Sequence, residues 1–519
     1  MAERHLDAAA SKAADKESKD KVTNPAADEV ERPDWAKIRP SCSHDYKAPT
    51  KRKQGHQAIR FRTSLSNTIK DVCLNRGWKC TDSEMDWDFY WSSVGWINEV
   101  YDHARFAPWQ KINHFRNHRE LCRKDLLVKN IYRMIRKLRR EKRYEEAALY
   151  NISPMTYQLP REYALFVEEF KKAIAEEGKS VSWIMKPIGS SQGKGIFLFR
   201  KLTDISRWKS DYRWSTKQSE NSVEQYVVQR YVSNPLLIGG KKFDIRIYAL
   251  VTSYIPLVVY LHRSGFCRFS NSRYSSLTSD MSNQYVHLTN VAIQKTSGDY
   301  NKANGGKWDI RELKLHVMTC YGVDAATRLF NDIKDIVVRS LLSVQNVVIN
   351  DKQCFELYGF DVLIDTDLKP WLIEVNASPS LSANTHEDYI MKSNVLGDML
   401  DVIDIEGKLH GDEEQVGGFD LVYRDGFVTN KHTVLNSYLG CEIPRGKSAR
   451  RRPPPGRIYV PDIPKKEAKG RGRRASAGSA SAHAKAMRRK KSARASSDKR
   501  ASEKFYSRRR SSGAGEEEE

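Results

Sequence analysis

The sequence predicts a mixed α/β protein of the α+β kind, and three observations carry that prediction. Apolar residues recur at helical spacing in Leu121–Tyr150, Glu162–Glu177 and Ile310–Val348. Strand-like runs stand at Trp183–Pro187, Ile196–Phe199 and Lys241–Val251, the last alternating polar and apolar residues. The stretch Gly359–Leu381, GFDVLIDTDLKPWLIEVNASPSL, reads as two short apolar strands around a tight polar turn.

Composition sets the bounds. With 519 residues, 39% of them hydrophobic, the chain is long enough for two or three domains with a large core. No apolar run is long enough to span a membrane, and the polar start MAERHLDAAASKAADKESKDK offers no secretory signal. The cysteines are scattered without CxxC spacing, as expected of a reduced intracellular protein with neither a zinc site nor a disulfide framework. The net charge of +23 is uneven. Residues 445–510 carry 24 Lys/Arg and 4 Asp/Glu, a net +20, whereas residues 1–444 hold only +7. Such a polycation suits a polyanionic partner: nucleic acid, an anionic membrane surface or an acidic protein filament. Its interleaved Arg and Ser with few aromatics give no platform for base stacking, so specific nucleic-acid binding is not expected.

In chain order, residues 1–55 lack periodicity and read as disordered. Ile59–Arg62 reads as a first strand and Ser64–Arg76 as a helix ended by Gly77. The aromatic stretch Trp87–Trp91, with Trp96 and Ile97, is expected to pack a small N-terminal domain. His114 and His118 stand four apart, but no acidic or Cys partner lies at metal spacing in the sequence, so they read as hydrogen-bonded structural residues. Leu121–Tyr150 reads as an amphipathic basic helix. After the Glu162–Glu177 helix, Trp183–Pro187 leads through Lys186 into a loop, Gly189–Gly195, and then a second strand. A glycine-rich loop between strands can wrap backbone N–H groups round phosphate oxygens, although its spacing is not that of a Walker A loop. Glu224–Val232 is a strand whose backbone can serve as an adenine-contacting edge. In Lys241–Val251, Asp244, Arg246 and Tyr248 share one face and Phe243, Ile245 and Ile247 the other. Leu257–Leu261 and Phe266–Phe269 read as two further strands, and the segments holding His287–Asn290 and Gly305–Trp308 as loop-rich. Ile310–Val348 is mostly helical, and a helix near Leu396–Ile403 is expected to close the body. The expected organisation is thus a catalytic region at 56–405, a C-terminal extension at 406–444 and a disordered basic tail at 445–519.

The hairpin carries the chemistry. Glu374 and Asn376 are two apart and so point to one face, and antiparallel pairing brings Asp361 toward them. Two carboxylates and an amide make a hard oxygen set suited to Mg²⁺. Solvated strand-end carboxylates are the simpler reading of the hairpin alone; the motifs elsewhere favour the metal. A Lys before a glycine loop, an adenine-edge strand, a Lys-Phe-Asp-x-Arg strand and a terminal D…E-x-N hairpin together describe an ATP-grasp arrangement. Its expected layout is a small N-terminal domain, a central domain and a C-terminal antiparallel-sheet domain, with disordered termini. The task of such a site is to phosphorylate a carboxylate with ATP and let an amine displace the phosphate. Lysines and Mg²⁺ neutralise the charge that builds on the transferred group.

The stretches INHFRNHRELCRKDLLVKN, WIMKPIGSSQGKGIFLFR, VVQRYVSNPLLIGGKKFDIRIYALV, HLTNVAIQK and FELYGFDVLIDTDLKPWLIEVNASPSL resemble, in order, the tubulin–tyrosine ligase-like family, and within it the polyglutamylases. The resemblance covers residues from about 60 to 405. It implies ATP and Mg²⁺ as cofactors, free L-glutamate as co-substrate, and the acidic tails of tubulin as acceptor. It implies that Lys186 binds phosphate, that Gln192 and Gly193 lie over the nucleotide, with Gln192 also near the acceptor chain, and that Gln229, Arg230, Tyr231 and Val232 form the adenine edge. Lys242 and Asp244 would contact the nucleotide, and Thr289 and Asn290 its ribose or phosphates. Arg268 and Lys307 would hold the incoming glutamate, and Asp361, Glu374 and Asn376 would ligate Mg²⁺, with Glu374 also counted as catalytic. We add Arg246 as a candidate stabiliser of the γ-phosphate or acylphosphate. Gln192 is similar to members that elongate glutamate chains. The resemblance further implies a cytoplasmic and cytoskeletal site of action, at the axoneme or basal body of cilia or flagella, and partner subunits of a polyglutamylase complex. A glycine or tyrosine ligase of the same fold, and a non-catalytic microtubule-binding subunit, stay open as alternatives.

Overall fold

The structure, a computed structural model, describes residues 58–178, 180–189, 193–205, 225–298, 306–377, 379–383, 385–428 and 437–443. The expectations placed on residues 1–55, on Gln192 and on 445–519 lie outside the described residues. The fold is mixed α/β, with three sheets among the described residues.

The first sheet is wholly parallel. Its strands β1 (Arg60–Thr63), β2 (Lys79–Cys80), β3 (Phe89–Trp91) and β4 (Lys111–Ile112) lie in the order β2-β1-β3-β4. Helix α1 (Thr68–Asn75) starts where the Asn67 side chain accepts from the Ile69 N–H, satisfying one of the first-turn donors. Gly77, with φ of 81°, turns the chain out of it. In the aromatic stretch Trp87, Phe89 and Trp91 are buried, and Phe89 stacks on Phe355 at 6.0 Å, in clusters shared with the rest of the body. A short helix, α2 (Val94–Glu99), follows β3.

The single basic helix expected over Leu121–Tyr150 is three pieces: α3 (Arg119–Cys122), α4 (Lys124–Arg140) and α5 (Tyr144–Ala148). The break between α4 and α5 falls in Glu141-Lys142-Arg143, where Lys142 takes φ of 59°, a conformation no α-helix contains. Leu127, Ile131 and Leu138 of α4 are buried against the body.

The second sheet is antiparallel: β5 (Thr156–Leu159), β6 (Trp183–Pro187), β7 (Phe197–Phe199) and β8 (Tyr226–Arg230), in the order β5-β8-β6-β7. Helix α6 (Tyr163–Glu177) covers it, with Phe166 and Phe170 packed on Trp183 and Phe199, and Gly178 at φ of 86° ends it.

The third sheet builds the site. It runs β14-β13-β10-β11-β16-β15, all antiparallel, from β10 (Lys241–Tyr254), β11 (Leu257–Phe269), β13 (Glu356–Ile364), β14 (Pro370–Asn376), β15 (Gln415–Val416) and β16 (Phe419–Arg424). Two short strands attach beside it: β9 (Leu237–Ile238) to β10 and β12 (Lys307–Asp309) to β11. Two one-turn helices, α7 (Gln284–His287) and α8 (Val291–Gln294), stand in the segment expected to be loop-rich. Strand alternation splits β10 into two faces. Ile245, Ile247, Ala249 and Val251 pack in the core that also holds residues of α9 (Ile310–Tyr321) and α10 (Val323–Val344). Tyr248 and Leu250 pack with α11 (His386–Ile403) and the first sheet. Lys242, Asp244 and Arg246 continue that second face toward the site.

Three sequence expectations change here. Leu257–Leu261 and Phe266–Phe269 are one strand, because Gly265 lets β11 pass the Arg246 carbonyl, where a Cβ would come within 2.5 Å. Lys307 is not in a loop but in β12, whose register sets it opposite Arg268. The helix expected at Leu396–Ile403 begins ten residues earlier, at His386, capped by the Thr385 side chain, and β15 and β16 carry the sheet on beyond it.

Candidate active site

The predicted hairpin is present, and its register pairs Asp361 with Glu374 and Gly359 with Asn376. A bulge follows Asp361 on this edge. The turn is tied by Asp365, whose Oδ1 accepts from the Asp367 and Lys369 N–H groups and whose Oδ2 accepts from Trp371 Nε1. Asn376 Nδ2 lies 3.4 Å from Asp361 Oδ2 and 3.5 Å from Glu374 Oε1, so the three oxygen-bearing side chains converge. Asp361 is buried, and Glu374 is partly open.

Two arginines hold Asp361. Arg246 Nε donates to its Oδ1 at 2.5 Å and Arg246 Nη2 to its Oδ2 at 3.0 Å, a bidentate pair. Arg268 Nη2 lies 2.9 Å from Asp361 Oδ2 and also pairs with Asp244. Burial pushes the Asp361 pKa up, but the arginines outweigh it and hold the carboxyl well below its ordinary range. Asp361 is therefore anionic at any physiological pH. An anionic carboxylate, a second carboxylate and an amide match the oxygen donor set that Mg²⁺ takes.

Beside this cluster is a pocket of about 150 Å³. It is lined by Lys186, Gly193, Gln229, Arg230, Tyr231, Val232, Lys242, Asp244, Arg268, Thr289, Asn290, Asp361, Glu374 and Asn376, all singled out in the sequence. Lys186 Nζ donates to Gln229 Oε1 at 2.6 Å, and Gln229 Nε2 donates on to Thr156. Lys242 Nζ donates to the Tyr231 hydroxyl and to the His287 carbonyl, both at 3.0 Å. His287 bonds the Asp280 carbonyl through Nε2 and the Tyr231 hydroxyl through Nδ1, so Tyr231 donates there while accepting from Lys242. Burial, unrelieved by a hydrogen-bonded carboxylate, lowers Lys186 to about 8. Burial and the nearby Lys186 lower Lys242 to about 7, and burial and Lys242 lower His287 to about 4. Gly193, at φ of 81°, lies against Asn290 and Ile293; a Cβ there would sit 2.4 Å from Ile293 Cδ1.

Arg246 and Lys307 lie outside the pocket lining. Arg246 is buried behind Asp361, and Lys307 Nζ pairs with Asp388 Oδ2 at 3.0 Å. That ion pair exposes residues the sequence reading missed. Asp388 also accepts from Lys392 at 3.1 Å, and Lys392 donates to the Ser382 carbonyl at 2.6 Å. Burial, only partly offset by Asp388, lowers Lys392 to about 8. The signal was an Asp and a Lys four apart on a helix just after the hairpin. Lys124 was missed too: at the start of α4 it lines the pocket and lies 3.6 Å from Glu374 Oε2. Sequence distance also misled at His114 and His118. Glu356, remote in sequence, accepts from His114 at 2.9 Å, and the ligand atoms of all three lie within 4.8 Å of one another. Glu356 also accepts from the Phe115 N–H and the Tyr358 hydroxyl, while His118 bonds the Phe115 carbonyl. The cluster works as a clamp between β13 and the segment before α3, in keeping with structural histidines.

The family model described as the tubulin-tyrosine ligase family matches residues 102–412. The chain is 46% identical over 437 residues to a Bos taurus protein named probable tubulin polyglutamylase TTLL9, covering 77% of this chain and 93% of the relative. It is 47% identical over 375 residues to the Caenorhabditis elegans probable tubulin polyglutamylase ttll-9, covering 72% and 87%. Against the Tetrahymena thermophila probable alpha-tubulin polyglutamylase Ttll1 it is 41% identical over 387 residues, covering 70% and 92%. With the converging hairpin carboxylates and the two-lysine pocket described above, a match of this extent places the chain in the tubulin–tyrosine ligase family.

Proposed function

We propose that the protein is an ATP- and Mg²⁺-dependent ligase that adds glutamate to glutamate side chains in the acidic tails of tubulin, through an acylphosphate. The observation that carries this reading is the juxtaposition of the Asp361–Glu374–Asn376 oxygen set with the two buried lysines, Lys186 and Lys242. The relatives named as tubulin polyglutamylases support the substrate.

In this reading the layout is that of an ATP-grasp enzyme: the second sheet and the β10–β14 sheet close on the nucleotide from two sides. Gln229 to Val232 edge the base, Thr289 and Asn290 hold ribose or phosphate, and Lys186 and Lys242 neutralise the phosphates. Asp361, Glu374 and Asn376 would hold Mg²⁺, which would supply Lewis-acid stabilisation of the transferring group. Arg246 keeps Asp361 ionised and oriented, so it acts through that carboxylate rather than on the phosphate directly. Arg268 and Lys307, brought together by the β11–β12 register, receive the carboxylates of the incoming glutamate. Asp388 and Lys392 position Lys307. The Tyr248 hydroxyl is buried close to Arg246 and Asp388 and has no hydrogen-bond partner among the described residues. Gln192 stays a proposed contact to the acceptor chain, favouring elongation. The basic segment 445–519 adds salt-sensitive attraction to an acidic filament, with partner subunits and a ciliary or flagellar site of action as part of the proposal.

The test is label transfer to purified microtubules with ATP–Mg²⁺ and labelled glutamate, glycine or tyrosine in turn, alone and in a ciliary extract. Glutamate alone should be incorporated, and Glu374→Gln should abolish incorporation while leaving the circular dichroism spectrum unchanged. Transfer by the folded variant at the normal rate, or a preference for glycine or tyrosine, would refute the assignment.

A further inference from the structure

Among the described residues, helix α4 is electrostatically unlike the other helices of twelve residues or more. It holds seven Lys/Arg and one Asp, a net +6, where α6 is −2, α9 +1, α10 neutral and α11 −3. The whole of residues 1–444 carries only +7, so this helix alone holds a charge nearly equal to the net excess of that stretch. Lys129, Arg133, Arg136 and Arg140 follow at spacings of four, three and four, which sets them in one stripe, and all four are exposed. At those spacings like charges repel and weaken a helix. The repulsion is not relieved locally. The ion pairs at this helix are Arg123–Asp125, Lys124–Glu374 and Lys137–Glu141; none among the described residues involves the four. Attraction to the C-terminal end of the helix dipole explains Arg140 and its neighbours in the last turn. It does not explain Lys129 or Arg133.

The stripe is rigidly placed, since Leu127, Ile131 and Leu138 bury the opposite face. The helix also begins at the pocket, where Lys124 meets Glu374. At 1.5 Å per residue, the stripe spans about 8 Å to about 24 Å along the axis from Lys124. An extended peptide covers that reach in roughly two to seven residues. We propose that the solvent face of α4 is the docking surface for an acidic, glutamate-rich polypeptide, namely the acceptor chain flanking the residue under modification. The proposal rests on the functional reading above and adds where the acceptor lies.

The experiment couples a lysine-free, glutamate-rich peptide to the full-length protein with a carbodiimide, which joins carboxylates to lysine amines in contact. Sites are mapped by mass spectrometry. Lys171 and Lys172 of α6 are the internal control: they are exposed as Lys129 and Lys137 are, and the Lys172–Glu176 pair at 4.0 Å matches the Lys137–Glu141 pair at 3.9 Å. Coupling at Lys129 and Lys137 should exceed that at Lys171 and Lys172 by about tenfold at low salt. It should fall to the control level in the Arg133→Gln/Arg136→Gln/Arg140→Gln variant and in high salt. Equal coupling at the two helices, or coupling confined to lysines in 445–519, would overturn the proposal. Because coupling needs no turnover, a protein that docks the peptide on α4 yet transfers no glutamate would sink the catalytic reading and leave this one standing.

Discussion

The candidate site has two halves that treat buried positive charge in opposite ways. On the hairpin side, Arg246 and Arg268 are each paired with carboxylates, Asp361 and Asp244. On the pocket side, Lys186 and Lys242 are hydrogen-bonded to an amide, a phenol and a carbonyl. The first half is balanced before any ligand arrives, and it fixes geometry. The second half is short of negative charge, which an incoming polyanion would supply. The difference follows the chemistry of the two cations. A guanidinium stays charged and forks onto a carboxylate, whereas a buried ammonium can shed its proton while the site waits.

The sharpest break of this comparison comes from removing one charge from each half. Asp361→Asn should leave Arg246 and Arg268 buried without their shared partner and cost about 3–5 kcal/mol of stability. Lys242→Met should be close to neutral for stability in the free protein, yet weaken ATP binding by about a hundredfold or more, since a charge-assisted contact is lost in a dry site. Urea unfolding and nucleotide titration of both variants read the two effects. Equal stability losses would mean that the halves are not differently balanced.

A smaller effect sharpens the lysine half through pH. With Lys242 at about 7 against an ordinary 10.5, the unfolded chain holds a proton in that window which the folded free protein has released. The contribution of Lys242 to stability therefore rises with pH between those values. Nucleotide binding runs the other way. A polyanion restores the proton, so binding takes up protons above pH 7 and affinity falls by at most about tenfold per pH unit. Calorimetry in buffers of different ionisation enthalpy should detect this uptake, and Lys242→Met should remove most of it. No proton uptake at pH 8 would show that the lysine is already charged without a ligand.

The smallest expected effect concerns the support behind Lys307. Lys392→Met should raise the KM for glutamate several-fold while leaving ATP affinity unchanged, because Asp388 keeps Lys307 but loses its second partner. A change in ATP affinity of the same size would point to general loosening instead.

Much of this was legible in the chain, and the limits have physical causes. Period-two alternation and a tight polar turn are local properties, so β6, the β13–β14 hairpin and the polar face of β10 could be read from residues close in sequence. The convergence of Asp361, Glu374 and Asn376 follows from pairing across one short turn. Helix breaks were harder. The residues around Lys142 are good helix formers, and the turn there lets Ala147 and Tyr150 pack in the core. The opposition of Lys307 to Arg268, the Glu356 partner of His114 and the Asp388–Lys307 pair join residues dozens to hundreds of positions apart. Their proximity depends on sheet register and helix docking, which no local pattern encodes. The sequence by itself determined which residue types stand at the strand ends and how charge divides between body and tail. Tertiary structure alone decided which buried cations would be neutralised by carboxylates and which would be left to seek an anion, because pairing energies depend on distance and burial rather than on order along the chain.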